Sequence, residues 1–133
     1  MSKTLLKNAT ERKIMRSETV IYLSGKITGQ NNYKELFEEA KKDAEDKFPG
    51  ATIINPAEIS LPSICDWDDY MSICLRLLDK SNIIYMLDNW LESKGARKEY
   101  ITAFQKGIKV YFQTYSRRIE NEERNREPCK KRA

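Results

Sequence analysis

Short apolar runs alternate with amphipathic segments along the middle of this chain. Four runs are rich in β-branched and aromatic residues and are bounded by polar, glycine or proline positions, a pattern typical of strands. They span 19–24, 51–55, 81–87 and 108–112. Between them, apolar residues recur every three or four positions, which predicts helices. The predicted helices span 33–48, 67–78 and 95–106.

Residues that favour helix ends flank each of these segments. The predicted N-caps are Asn31 or Asn32, Asp66 and Ser93. Proline and glycine at 49–50 end the first helix, and Gly107 is the expected C′ residue of the third. The elements therefore have plausible boundaries as well as plausible periodicity.

Regular alternation of strands and helices predicts an α/β fold. We expect a three-layer, Rossmann- or flavodoxin-like domain, with a parallel sheet of four to five strands and helices on both faces. Ligands of such sheets bind at the carboxyl ends of the strands. The loops at those ends span 24–32, 55–65 and 88–95, so candidate site residues are sought there.

The charge distribution divides the chain into three parts. We predict a basic N-terminal arm over 1–18, the α/β domain over 19–113 and a charged tail over 114–133. The formal net charge of +4 comes mostly from the two arms. Solvated tails are the first interpretation, and contact with nucleic acid or an acidic partner is the second.

The composition excludes several kinds of chemistry. The chain has no histidine, which removes Ser-His-Asp and Cys-His mechanisms. Its three cysteines, Cys65, Cys74 and Cys129, are odd in number and form no C-x-x-C, so we expect neither a disulfide framework nor a zinc site. We expect no metal or redox cofactor. With no signal-like start and no long apolar stretch, a cytoplasmic protein without a membrane span is expected.

The first two loops carry candidate ligand-binding residues. Ser24, Gly25, Lys26 and Gly29 follow the first strand, and their amides suit an anion. The loop is not a Walker A motif, and a plain strand-to-helix turn is the alternative. Further candidates are Asn55 and Glu58 after the second strand, and Trp67 and Tyr70 at the start of the second helix. The two aromatic side chains can stack on a base or pack in the core.

The third loop and the helix after it carry the sharpest pattern. Asp88 and Trp90 precede Ser93 and Gly95, which open the helix, and Glu99 lies one turn further on. A glutamate near the positive end of a helix ionises easily. An ionised carboxylate beside an anomeric carbon suits the retaining-glycosidase mechanism. The alternative is that Glu99 is a surface residue that satisfies the helix dipole.

Several motifs together carry a family resemblance. They are YLSGKITG at 22–29, NPAE at 55–58, W-x-x-Y-M at 67–71, the apolar run over 82–86, Asn89-Trp90 and SKGARKE at 93–99. In this combination the chain resembles an uncharacterised bacterial and phage family within the nucleoside 2-deoxyribosyltransferase-like superfamily. The likeness covers roughly residues 19–112.

The resemblance implies roles for individual residues. Gly95 and Glu99 match a G-x-x-x-E motif whose glutamate attacks the anomeric carbon. Ser93 stands where the nucleotide hydrolases of the superfamily have a phosphate-binding serine and the transferases an aspartate. The first loop is implied to wrap the sugar and phosphate. Cys74 stands where relatives commonly have a sugar-binding aspartate, and Asn82 where many have aspartate.

Three functional hypotheses follow. The first is an N-glycosidase, either a nucleotide hydrolase or a deoxyribosyltransferase, acting through Glu99. The second is a catalytically silent module that binds or senses a nucleotide, as Cys74 would favour. The third is a scaffold or nucleic-acid partner that uses the basic arms. A small-molecule nucleotide or nucleoside is the expected partner. A homo-oligomer is also expected, with the apolar helix over 67–78 as its interface; the alternative is that this helix face is core.

Overall fold

The computed structural model describes residues 18–113 of the 133-residue chain. The predicted basic arms, apart from Glu18, and Cys129 lie outside the described residues. The elements are β1 (Val20–Ser24), α1 (Tyr33–Lys47), β2 (Thr52–Ile54), α2 (Trp67–Asp79), β3 (Ile83–Met86), α3 (Lys94–Gln105) and β4 (Lys109–Phe112). Short 3-10 turns at Pro56–Glu58 and Trp90–Glu92 precede α2 and α3.

The four strands form one parallel sheet in the order β2-β1-β3-β4. β1 lies beside both β2 and β3, with Tyr22 level with Ile54 on one side and Ile84 on the other. The predicted α/β class with a parallel sheet is confirmed. The order places the crevice between the ends of β1 and β3, since the chain leaves these neighbouring strands in opposite directions across the sheet.

Alternation along the strands divides the core into two layers. On one face, Ile21 and Leu23 of β1 pack with Phe37 and Ala40 of α1. On the other face, Tyr22 packs with residues of α2 and α3. Successive side chains of a strand point to opposite faces, so neighbours in the sequence of β1 serve different layers. The helices thus flank the sheet as expected, and Met71, Cys74 and Leu78 of α2 are buried.

The three predicted N-cap positions are confirmed, and two of the three residues make a side-chain cap bond. Asp66 and Asp69 form a reciprocal capping box, with both N–H to carboxylate distances 2.9 Å. Ser93 Oγ accepts the Ala96 N–H at 3.1 Å. Asn32 is the N-cap residue of α1, but it makes no side-chain cap bond, and its Oδ1 instead accepts from Gln30 at 2.6 Å.

The remaining differences lie at element boundaries. The third strand is shorter than predicted, and Asn82 before it uses its side chain to accept the Val20 N–H at 2.7 Å. Asn55 ends β2 by accepting the Ala57 N–H at 3.0 Å. Gly107 adopts φ 73°, as a C′ glycine should. Over residues 18–113, none of the helices has the length and apolar character to cross a membrane.

Candidate functional site

Glu99 is a buried carboxylate held by two hydroxyl groups. It lies in the second turn of α3 and is only 5% exposed. Ser24 donates to its Oε1 at 2.7 Å, and the Tyr22 hydroxyl donates to its Oε2. Tyr22 and Ser24 share one face of β1 because strand side chains repeat every second residue. One strand therefore fixes both oxygens of the carboxylate.

Burial changes the acidity of this group. Desolvation raises the pKa of Glu99 from 4.5 to about 7, while the hydrogen bonds from Tyr22 and Ser24 act in the opposite direction. The sequence predicts that Glu99 ionises easily because it lies near the start of a helix. In the structure, burial outweighs this effect, and the carboxyl group titrates near neutral pH. The alternative of a solvated surface glutamate is also excluded by its burial.

Glu99 lines a cavity of about 700 Å³ at the carboxyl ends of the strands. Its apolar and aromatic wall comes from Ile27, Tyr33, Ile59, Trp67, Tyr70 and Met71. Its polar wall includes Lys26, Thr28, Glu92, Ser93 and Lys94. The volume suits a small organic ligand, and the mixed lining suits one with a flat apolar part and a polar or anionic part.

A second side chain from the loop after β3 fixes the first loop. Asn89 Oδ1 accepts the Lys26 N–H at 3.0 Å. A Cβ on Gly25 would lie 2.8 Å from the Leu87 Cβ and 3.1 Å from Asn89 Oδ1. Only glycine lets the backbone approach this closely. The two loops on either side of the crevice are therefore joined at this point.

We predict that Gly25→Ala destabilises the domain by about 1–3 kcal/mol, since the Leu87 Cβ and the backbone carrying it must move. Gly95→Ala is the matched control. There the added Cβ would lie 3.1 Å from Met71 Sδ, the flexible part of a side chain. Urea unfolding of both variants measures the difference. Equal losses of stability in the two would contradict the close approach at Gly25.

Two lysine side chains and one hydrogen bond hold the aromatic rings of Trp67 and Tyr70 in the cavity wall. Lys94 Nζ lies 4.8 Å from the centroid of the Trp67 ring, and Lys98 Nζ lies 5.9 Å from it. The Tyr70 hydroxyl donates to the carbonyl oxygen of Pro56 at 2.8 Å. Cation–π contact and the tyrosine hydrogen bond both restrict the aromatic rings. The wall is thus preorganised.

The structure brings together most, but not all, of the predicted site residues. Those that line the cavity are Gly25, Lys26, Trp67, Tyr70, Ser93, Gly95 and Glu99. Ser24 lies beneath it and acts through its bond to Glu99. Gly29 turns the same loop with φ 78°.

Four predicted residues lie elsewhere. Asn55 and Glu58 line an adjoining depression of about 440 Å³. Trp90 packs on the rings of Tyr100 and Phe112, with centroids 4.9 and 5.9 Å away. The Asp88 N–H donates to Gln113 Oε1 at 3.1 Å. None of the four lines the main cavity.

Sequence reasoning missed Tyr22 and Asn89, which hold the site in place, and several residues that line the cavity, Met71 among them. The sequence places Tyr22 in a buried strand and at the start of the YLSGKITG motif, without a role of its own in the site. Its spacing of two from Ser24 was the available signal, since both residues must share one face of β1. Nothing local marks Asn89 as the acceptor for Lys26, because the two residues are 63 positions apart.

Cys74 is buried behind the cavity wall. It is 1% exposed and packs with Tyr22 and Tyr70 on the sheet face that carries Glu99. Burial raises the pKa of its thiol. It is not among the residues that line the cavity. Among residues 18–113, no three Cys, Asp or Glu side chains are grouped to hold a metal ion.

A family model described as a domain of unknown function (DUF4406) matches residues 19–112. The chain belongs to this family. The match runs from β1 to β4, so every residue of the candidate site lies inside the DUF4406 domain. Neither the curated proteins nor the solved structures give a match. The family description states no activity, and the kinship with deoxyribosyltransferases stays a prediction from the sequence motifs.

Proposed function

We propose that this protein is a nucleotide or nucleoside N-glycosidase whose nucleophile is Glu99. The observation that carries the proposal is a buried carboxylate, fixed at both oxygens by hydroxyl donors, on the wall of a cavity of about 700 Å³. Such preorganisation places a reacting group without a cost in reorientation at each turnover. Glu99 is also among the residues that line the cavity, so a ligand bound there would lie beside its carboxylate.

The cavity lining supports a nucleotide as ligand. Trp67 and Tyr70 offer flat faces on which a base can stack. Lys26 and Lys94 add positive charge near the N-terminus of α3, where free amides also favour an anion. These polar and aromatic groups line the same cavity as Glu99. The lining therefore matches a base, a sugar and an anionic group in one molecule.

The chemistry is a double displacement. The ionised Glu99 carboxylate attacks the anomeric carbon, an ester bond forms, and the bond from that carbon to the base nitrogen breaks with its electron pair leaving on the base. The base takes a proton from solvent. Water then attacks the anomeric carbon and gives up one proton to solvent, the ester bond breaks with its electron pair leaving on Glu99, and the free sugar and the carboxylate result. A second base as acceptor would give a transferase instead.

Ser93 supports the hydrolase over the transferase. Its Oγ already accepts the Ala96 N–H at 3.1 Å, and its own hydroxyl proton remains available to donate to a phosphate oxygen. Since the side chain lines the cavity, a 5′-phosphate beside it would also meet the helix N-terminus. We therefore place nucleoside monophosphates first among the candidate substrates.

The rate of base release should depend on pH through Glu99. Only the ionised carboxylate is a nucleophile, and desolvation raises its pKa to about 7. We predict that kcat/KM rises roughly tenfold per pH unit below about pH 6 and is level above about pH 8. Rates over pH 5–9 with one substrate measure the profile. A rate independent of pH from 5 to 8 would contradict a nucleophile with this environment.

A panel of ribo- and deoxyribonucleosides and their 5′-monophosphates tests the proposal. The purified protein is incubated with each, and free base is measured by chromatography. Release from at least one deoxynucleotide, faster than from its nucleoside, is the expected result. Release from no member of the panel would remove the glycosidase proposal.

A silent nucleotide-binding module is the second candidate. It is favoured by Cys74, which stands where relatives commonly have a sugar-binding aspartate and is buried away from the cavity. This candidate predicts that a nucleotide raises the melting temperature of the protein without being consumed. It also predicts that Glu99→Gln leaves that binding unchanged.

A further inference from the structure

Asn55 lines a depression of about 440 Å³ that adjoins the main cavity. The cavity and the depression share Tyr33, Ala57 and Ile59 in their linings, so they are neighbours across these side chains. The rest of the lining of the depression is polar and includes Asn55 and Glu58 from the turn after β2. A ligand that extends beyond the cavity on this side would therefore enter a polar subsite.

The Asn55 side chain is fixed through its oxygen and has a donor left over. The residue is only 9% exposed, and its Oδ1 accepts the Ala57 N–H at 3.0 Å. Within residues 18–113, its Nδ2 makes no hydrogen bond. Every side-chain nitrogen or oxygen that is closed to solvent in this part of the chain does have a partner. The Asn55 Nδ2 is therefore open to the depression that its residue lines, and an atom that meets it there must be an acceptor.

The sheet order determines which end of a bound nucleotide faces Asn55. β2 and β3 lie on either side of β1. Ser93 follows β3, Glu99 is bonded to Ser24 of β1, and Asn55 follows β2. In a nucleotide, the base and the phosphate lie on opposite sides of the sugar. With the phosphate at Ser93 and the anomeric carbon at Glu99, the base points towards Asn55.

The ring of Tyr70, on which a base can stack, lies at the same end of the site. Its hydroxyl donates to the Pro56 carbonyl oxygen at 2.8 Å, so the ring is joined to the turn that carries Asn55. A base stacked on Tyr70 would present its edge to this turn. Because Asn55 lies beyond the main cavity, the part of the base that reaches it is a group that projects from the ring, either an oxygen or an amine.

We propose that Asn55 is a specificity-determining residue that selects bases with an exocyclic oxo group, such as uracil and hypoxanthine; this rests on the nucleotide ligand of the proposed function. An oxo oxygen accepts a hydrogen bond from Nδ2, whereas the amine of cytosine or adenine is itself a donor and leaves Nδ2 unpaired. The other polar side chains of the depression are exposed and can turn towards water; they are Lys34, Glu38, Glu58 and Ser60. The choice between oxo and amino bases therefore depends on the fixed amide.

Two matched pairs of nucleotides test this selection. Deoxyuridine and deoxycytidine monophosphate have rings of the same size and differ in oxo against amino, as do deoxyinosine and deoxyadenosine monophosphate. Their dissociation constants are measured by calorimetry with the Glu99→Gln protein, which we expect to bind the ligand without consuming it. We expect the oxo member of each pair to bind about tenfold more tightly, because the amino member leaves a donor unpaired. Equal affinities within both pairs would overturn the proposal.

Asn55→Asp, added to Glu99→Gln, exchanges the donor for an acceptor of the same shape. One carboxylate oxygen can still accept the Ala57 N–H, so the turn keeps its cap, and the other presents lone pairs to the depression. We expect the ratio of oxo to amino affinity to fall by about tenfold or more at pH 8, where the new carboxylate is ionised. Ser63→Asp is the control for the added charge, since Ser63 is exposed in the loop before α2 and lines neither the cavity nor the depression.

The direction of the change in this ratio decides the proposal. A fall with Asn55→Asp and not with Ser63→Asp supports it. An unchanged ratio overturns it, and a rise would assign the Asn55 amide to a ring nitrogen and overturn the oxo assignment. If Asn55→Asp does not fold, the two nucleotide pairs decide the proposal without it.

Failure of the proposed function gives a different result. If none of the four nucleotides binds to the wild type or to Glu99→Gln, the nucleotide site and this subsite are both removed. Nucleotides that bind with the expected ratios, without base release by the wild type, would remove the glycosidase proposal and leave the role of Asn55 intact.

Discussion

Replacing Glu99 by glutamine is expected to lower base release by at least about 10³-fold, since an amide cannot form the glycosyl ester. The side chain keeps its size, and one amide oxygen can still accept from Tyr22 or Ser24. The cavity should therefore keep its shape, and a nucleotide should still raise the melting temperature of the variant. The measurement is a single-turnover assay of free base at pH 8, where the wild-type carboxylate is ionised.

Glu39→Gln is the control for this loss. Glu39 is an exposed glutamate on α1 and does not line the cavity. It removes the same charge from the same protein, and we expect its base release to equal that of the wild type. Full activity in Glu99→Gln would contradict a carboxylate nucleophile. Binding that disappears together with activity would assign Glu99 to ligand binding.

Much of the fold could be predicted because its signals are local. The four apolar runs, the amphipathic periods between them and the capping residues Asp66 and Ser93 each act within a few positions. Asn32 is the N-cap residue of α1 but makes no side-chain cap bond, since Gln30 donates to its side-chain oxygen instead. The local sequence identifies a polar residue before the helix. It does not show whether the side chain of that residue accepts from the helix backbone or from a neighbouring side chain.

The site was only half predictable for the opposite reason. Glu99 was found because it follows a helix start, but its ionisation was misjudged, since the pKa depends on burial by distant segments. Tyr22 is 77 positions away from the carboxylate to which it donates. The two ends of that bond are brought together by the sheet order, which no local pattern specifies. The position of Trp90 is not specified by a local pattern either. Its ring packs on Tyr100 of α3 and Phe112 of β4 and does not line the cavity.

The second large effect concerns stability, and it has the opposite sign from the effect on activity. Unfolding exposes Glu99 to water, where its pKa is near 4.5, whereas desolvation in the fold raises it to about 7. Between these values the folded protein binds more protons than the unfolded chain, so its stability falls as pH rises through this window. The Glu99 contribution is fully kept below about pH 4.5 and is lost above about pH 7.

Glu99→Gln removes this loss because glutamine stays neutral at every pH. We therefore expect the difference in unfolding free energy, variant minus wild type, to increase by about 3 kcal/mol as the pH rises from 5 to 8. Urea unfolding at half-unit pH intervals, with Glu39→Gln as the reference for removing an exposed charge, measures the gain. A gap between Glu99→Gln and wild type that does not widen with pH would mean that the folded protein does not resist ionisation at this position. A widening gap together with lost base release would show that the site keeps a destabilising buried charge because the reaction needs it.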